Sequence, residues 1–174
     1  PVLDARLRWA APAVVLVLVS LGVWWAPPEP RPAPRPNELR LVAYNIRMGF
    51  GMDGRFSIAD LARVIRGERP DVVLLSEVDR GWLLNGGHDD VGLLARELGL
   101  RYAFAPAADA VWGDAILTNL PVVSWRAERM PSYGAPTGGQ VMGAVLRHGA
   151  GTVAVVSTHL QPPPDGPPLA QARD

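Results

Sequence analysis

The sequence predicts an α/β domain on mixed β-sheet, preceded by an apolar segment and a proline-rich tether. Three observations carry this. Strand-like and helix-like stretches alternate from Leu39 to Phe104. Beyond that point strand-like runs follow one another with only turns between them, so parallel and antiparallel pairs must coexist. Ahead of both, residues 9–26 carry no charge, and Pro27 to Pro36 holds six prolines.

The elements follow in order. Leu39 to Ile46 (LRLVAYNI) reads as a strand from its β-branched and aromatic content. Ser57 with Asp60 forms a capping box, and Ile58, Leu61, Ala62 and Ile65 give the apolar stripe of a helix ended by Gly67 and Pro70. Asp71 to Glu77 (DVVLLSE) is a continuous apolar run, the mark of a strand covered on both faces. Asp89 or Asp90 caps a second helix over Val91 to Leu98, closed by Gly99. Tyr102 to Phe104 is a short strand. Ala115 to Thr118, Val122 to Arg126, Val141 to Arg147 and Thr152 to Thr158 read as a meander of four strands.

The N-terminal part divides into a flank (1–8), a span (9–26) and a linker (27–37), with the domain at 38–174. Residues 9–26 (WAAPAVVLVLVSLGVWWA) show no polar face. As a helix they would measure about 27 Å, enough to cross a bilayer with little tilt. Trp9, Trp24 and Trp25 stand where interfacial rings belong. No small-x-small cleavage site follows, which favours a single-pass membrane span over a signal peptide. Arg6 and Arg8 lie closer to the apolar stretch than Arg31, Arg35 and Arg40, which places the N-terminus inside and the domain on the extracytoplasmic side. PPEPRPAPRP reads as a polyproline II spacer.

Composition narrows the chemistry. The chain of 174 residues has no cysteine, which excludes disulfides, thiolate metal sites and a cysteine nucleophile. It has no lysine, which excludes a Schiff base and a P-loop. No G-x-S-x-G elbow is present. The net charge of zero hides a division: from Asn37 onward there are thirteen arginines against fifteen acids. A mildly acidic domain does not favour nucleic acid as partner.

Three polar residues fall at or just past strand ends, where layered α/β folds place reactive groups: Asn45, Glu77 and His159. Glu77 follows a buried run, so its carboxylate must be paired, protonated or metal-bound. Mg²⁺ takes one or two protein carboxylates and completes its shell with water and phosphate oxygens. The plainer alternative pairs Glu77 with Arg47 or Arg80. Asn45 alone would be a turn cap, and His159 alone a satisfied strand-end histidine.

Two other clusters compete. Gly49 to Gly54 matches G-x-G-x-x-G between a strand and a helix, the outline of an NAD or FAD fingerprint. Ser57, however, caps the helix only after the third glycine, which points to a glycine-rich loop beside the site. His88, Asp89 and Asp90 resemble a metal cluster, but a loop ending in a helix cap accounts for them.

The segments LRLVAYNIR, RPDVVLLSEVD, WGDAILTNLPV and VAVVSTHLQ, in this order, resemble the endonuclease/exonuclease/phosphatase superfamily over residues 38–174. The resemblance implies a four-layer α/β sandwich with two mixed sheets face to face. It also implies Mg²⁺-dependent phosphoester hydrolysis, with Mn²⁺ as a substitute. Asn45 then matches the asparagine near metal and phosphate. Glu77 matches the metal-binding glutamate, preceded by Ser76 where the family has glutamine. His159 matches the histidine that contacts the scissile phosphate and acts as general acid. Asp114 stands where relatives have an asparagine or a carboxylate, and in DNase I-like members that carboxylate pairs with the histidine. A family arginine is absent near Gln140 to Ala144. The family's G-D-x-N segment and closing Asp-His pair would lie beyond Asp174, so 38–174 is expected to be about half a domain, inactive alone, with one inner sheet face exposed. The membrane region followed by this domain also resembles the C-terminal part of GPI-anchor lipid-remodelling proteins.

The expected function is therefore a membrane-anchored metal-dependent phosphoesterase acting on a lipid head group, inositol phosphate or nucleic acid. The alternatives are a dinucleotide-binding oxidoreductase through Gly49–Gly54 and a catalytically inactive, membrane-tethered interaction domain.

Overall fold

A computed structural model describes residues 38–174. The span expected at 9–26 and the linker at 27–37 lie outside the described residues. Among the described residues, no helix is long and apolar enough to cross a membrane.

The described chain forms seven strands and two α-helices. They are β1 (Leu41–Asn45), α1 (Ile58–Glu68), β2 (Val72–Asp79), α2 (Asp90–Leu98), β3 (Arg101–Pro106), β4 (Trp112–Thr118), β5 (Val122–Met130), β6 (Gly139–His148) and β7 (Gly151–His159). The first sheet has strand order β1-β2-β4-β3 and the second β5-β6-β7. β1 runs parallel to β2, while β4 is antiparallel to both β2 and β3, so the first sheet is mixed. The second sheet is an antiparallel meander.

The cores follow from strand alternation. Val73 and Leu75 face one way, and α1 and α2 pack on them through Leu61, Ala62, Ile65, Val91 and Leu94. Val72 and Leu74 face the other way, against Met142, Ala144, Leu146 and Val155 of the second sheet. β2 is thus covered on both faces, as its unbroken apolar run requires. The Ser57 hydroxyl accepts the Asp60 backbone N–H at 3.3 Å and starts α1. Asp89 caps α2 by accepting from Gly92 N at 3.1 Å.

Three expectations need correction. Ala115 to Thr118 does not open the meander. It belongs to β4, whose residues are all buried, and only the slot between β2 and β3 covers both its faces. The inner sheet faces are not left bare either, because they pack on each other. The uncovered face is the outer one of the second sheet, where Val156 is exposed. Among the described residues no helix covers that face, so three of the four implied layers are present. Finally, α1 does not stop at Gly67. It runs to Glu68, and Arg69 takes the left-handed C-cap position at φ 49° ahead of Pro70.

Gly113 lets β3 and β4 approach closely. A Cβ there would overlap the Ala105 carbonyl oxygen and lie 2.9 Å from Pro106 Cα, both backbone atoms. Gly113→Ala is expected to destabilise the fold by about 1–3 kcal/mol, read from urea unfolding.

Asp90 is fully buried at the start of α2. Its Oδ2 accepts from Asp79 N at 3.3 Å, and its Oδ1 has no partner. Burial pushes its carboxyl up to about 7. The folded state therefore binds this proton more tightly than the unfolded chain. The stability it contributes is complete below the unfolded value of 3.8 and is lost as pH rises towards about 7. Asp90→Asn should flatten this slope and raise the unfolding free energy read from urea titration at about pH 8 by on the order of a few kcal/mol.

Candidate active site

The site lies where the ends of β1, β2 and β7 meet the middle of β4. Its geometry begins with a β-bulge. Leu75 pairs with Ala115, and Val78 pairs with Gly113, so Ser76 and Glu77 together oppose Asp114. The extra residue puts Val78 on the helix-side core beside Leu75, although they are three residues apart. It also forces Glu77 to φ 54°, a left-handed conformation that costs a non-glycine residue on the order of 1–2 kcal/mol.

A bulge leaves one N–H out of the ladder. Here the Glu77 N–H donates to Asp114 Oδ1 at 3.2 Å. The other Asp114 oxygen, Oδ2, accepts from the Gln140 side-chain amide. Both Asp114 and Gln140 are fully buried, and they come from different sheets. Burial pushes the Asp114 carboxyl above its usual range. The Gln140 hydrogen bond, the nearby His159 and the Glu77 N–H pull against that rise, and the Glu77 charge adds to it.

The Glu77 side chain is partly exposed. Its Oε1 accepts from Asn45 Nδ2 at 2.8 Å and lies 3.6 Å from His159 Nε2. Its Oε2 accepts no hydrogen bond among the described residues. Asn45 performs two tasks, because its Oδ1 also accepts from Arg47 N at 3.0 Å and turns the chain out of β1. His159 pairs with Gln140 across β7 and β6. Its ring meets Trp112 edge-on, with centroids 6.3 Å apart.

All four residues singled out from the sequence therefore come together. The plainer pairing of Glu77 with an arginine does not occur. Arg47 Nη1 contacts Met52 Sδ, and Arg80 faces Asp89 at 3.6 Å with its guanidinium over the Phe104 ring. One implied contact is corrected. Asp114 makes no hydrogen bond to His159. It reaches the histidine only electrostatically, because the bulge N–H and Gln140 take its oxygens, while the carboxylate near His159 Nε2 is Glu77.

The competing clusters resolve as well. Phe50 bridges Phe56, and Gly51 N donates to Arg55 O at 2.9 Å, so Gly49–Gly54 closes a small hairpin. A Cβ on Gly49 would strike the Phe56 ring. The helix starts afterwards, at Ile58, so no glycine opens it toward a phosphate. His88 stacks on Phe56 with ring centroids 4.1 Å apart, and Asp89 is the α2 cap.

Gln140 and Trp112 are the residues that sequence reasoning missed. Gln140 had a signal. It shares phase with Met142, Ala144 and Leu146, so it is a polar side chain on an inward face and needs a buried partner.

The donor set fits a hard divalent cation. Glu77 offers one accessible carboxylate with a free oxygen, braced by an amide and next to open surface. Among the described residues no group of three or more His, Asp and Glu gathers as a cation cage. A site with one carboxylate is the arrangement Mg²⁺ accepts when phosphate and water supply the rest.

Comparison with known proteins agrees with this architecture. The chain is similar to a structure of an endonuclease/exonuclease/phosphatase from Beutenbergia cavernae, with 24% identity and a TM-score of 0.60, covering 73% of this chain and 39% of the other. It is similar to ANGEL2, a 2′,3′-cyclic phosphatase, with 15% identity and a TM-score of 0.54, covering 71% and 41%. Caenorhabditis elegans TDP2 matches at 16% identity and a TM-score of 0.55, over 77% and 39%. At these identities the likeness concerns the fold. Among curated proteins, the Schizosaccharomyces pombe protein cwh43 is 29% identical over 123 residues, which is 68% of this chain and 13% of cwh43. The chain thus spans well under half the length of each of these relatives. Residues 42–174 match the model of the endonuclease/exonuclease/phosphatase family, and the chain belongs to that family.

Proposed function

We propose that the chain is part of a membrane-anchored, Mg²⁺-dependent phosphoesterase that hydrolyses a phosphodiester, with a lipid head group as the favoured substrate class. The observation that carries the reading is Glu77. A carboxylate is held out of a strained bulge, with one oxygen on Asn45 and the other free, 3.6 Å from a histidine nitrogen at its nearer oxygen. A fold gains no stability from that strain, and strain of this kind collects where chemistry is done.

Each residue has a task that follows from its chemistry. Glu77 and Asn45 would hold Mg²⁺, which would supply polarisation of the phosphoryl oxygens. His159, beside that carboxylate, is suited to carry a proton at Nε2 and give it to the leaving oxygen. A charged imidazole also stabilises negative charge developing on the phosphoryl group. Trp112 forms an apolar wall against this ring. Asp114 holds the Glu77 backbone, and Gln140 positions Asp114. The sequence supports the setting: an uncharged stretch at 9–26 for the anchor, Arg6 and Arg8 for an extracytoplasmic domain, and an acidic balance that disfavours long nucleic acid. The similarity to cwh43 extends over 123 residues and adds no substrate by itself.

Glu77→Ala and His159→Ala are each expected to lower kcat of the full-length protein by about 10²–10⁴-fold. The measurement is hydrolysis of bis-p-nitrophenyl phosphate with Mg²⁺ present. Wild-type turnover in either variant would refute the assignment, and absence of turnover in the parent protein would favour the inactive interaction domain.

Gln140→Leu removes a hydrogen bond that holds the Asp114 carboxyl down. Its proton affinity should rise, and the acid limb of the kcat/KM profile should move to higher pH. A purely structural role would reduce activity equally at every pH.

A further inference from the structure

Two loops leave the site. One follows Asn45 and runs to Ser57, and the other follows Asp79 and runs to Asp89. They carry the three most exposed large apolar side chains among the described residues: Met52 (92%), Leu84 (91%) and Leu83 (90%). The other exposed large apolar residues lie between 38% and 64%. These three stand out at the rim of the site.

The rim is braced. Asn85 Nδ2 donates to Asp79 Oδ2 at 3.0 Å and to Met48 Sδ at 3.0 Å, which ties the second loop to β2 and to the first loop. His88 stacks on Phe56 and joins the loops again. Trp82 Nε1 donates to Asp109 Oδ2 at 2.7 Å. A 3₁₀ turn at Leu83–Asn85 then presents two adjacent leucines outward from a fixed base. The first loop connects to the site itself through the bond from Arg47 N to Asn45 Oδ1. Charge accompanies the apolar tips. The loops hold Arg47, Arg55 and Arg80 against Asp53 and Asp89. Arg55 and Arg80 each face one of those acids, and Arg47 has no acidic partner among the described residues.

We infer that this rim docks on the surface of a lipid bilayer, with Met52, Leu83 and Leu84 in the interfacial layer and Arg47 among anionic head groups. Apolar tips flanked by arginine are the composition of shallow interfacial insertion. A protein partner would more often be met by aromatic anchors in a closed patch. The inference rests on the membrane-anchored reading above. The tether that the sequence predicts at 27–37 would, as polyproline II, reach only about 34 Å from the predicted span at 9–26. Docking on the rim would bring Asn45, Glu77 and His159 to the head-group layer. The substrate class then narrows to a phosphodiester that is part of a membrane lipid.

Residues 1–174 hold no cysteine, which makes a position-resolved test available within them. Met52→Cys, Leu84→Cys and Val64→Cys each introduce one thiol for a fluorescent label into the full-length protein, in which any cysteine outside residues 1–174 is first replaced by serine. All three sites are exposed, and Val64 lies on α1, outside the two loops. The proteins are reconstituted in vesicles of phosphatidylcholine and phosphatidylserine that contain acyl-chain-brominated lipid as quencher. The expected result is at least twofold stronger quenching at positions 52 and 84 than at 64. Equal quenching at all three positions would overturn the inference. Turnover of bis-p-nitrophenyl phosphate by the unlabelled protein in the same vesicles separates the two claims. Selective quenching without turnover removes the phosphoesterase reading and leaves docking intact. Turnover without selective quenching does the reverse.

Discussion

The hydrogen bond between Asp114 and Gln140 is the constraint on which the site depends. Asp114 lies in the middle of the first sheet and Gln140 at one end of the central strand of the second. Their contact is the point at which a face-to-face packing of apolar side chains becomes an aligned arrangement of polar ones. Hydrophobic packing through Val72, Leu74, Met142 and Leu146 brings the sheets together but is non-directional. A hydrogen bond between two fully buried groups has a fixed geometry and a high penalty for being broken. It therefore sets the relative position of β2, which carries Glu77, and β7, which carries His159.

The same carboxylate also solves a local problem. The bulge at Ser76–Glu77 displaces an N–H from the ladder, and Asp114 accepts it. One buried side chain thus satisfies a backbone defect in its own sheet and anchors a side chain from the other. The cost is a carboxylate in a low-dielectric interior, which explains its raised proton affinity. Asn45 is economical in a similar way, with one end of its amide closing a turn and the other holding Glu77.

Much of this was legible in the sequence, and particular residues show why. DVVLLSE identifies a doubly covered strand because only a central position tolerates four apolar residues in a row. Ser57, and Asp89 or Asp90, identify helix starts because an orphan N–H needs an oxygen, and the structure selects Asp89. Asn45, Glu77 and His159 were visible as polar groups at strand ends. What stayed hidden depends on strand order. Nothing in WGDAILT says that it inserts between β2 and β3, since that is a long-range choice. The bulge is hidden for the same reason, because it exists only relative to a partner strand. The identity of the carboxylate nearest His159 followed from the bulge and was lost with it.

The bulge also bears on how such a site can change over time. Backbone register in a strand is counted in whole residues, so the offset that turns Glu77 outward is either present or absent. Side chains around it can drift by small steps, each with a small effect. The placement of the carboxylate cannot, because the next available register exchanges the faces of Val78 and everything after it. Its position behaves as a discrete inherited character, while charge, wall and rim remain free to vary around it.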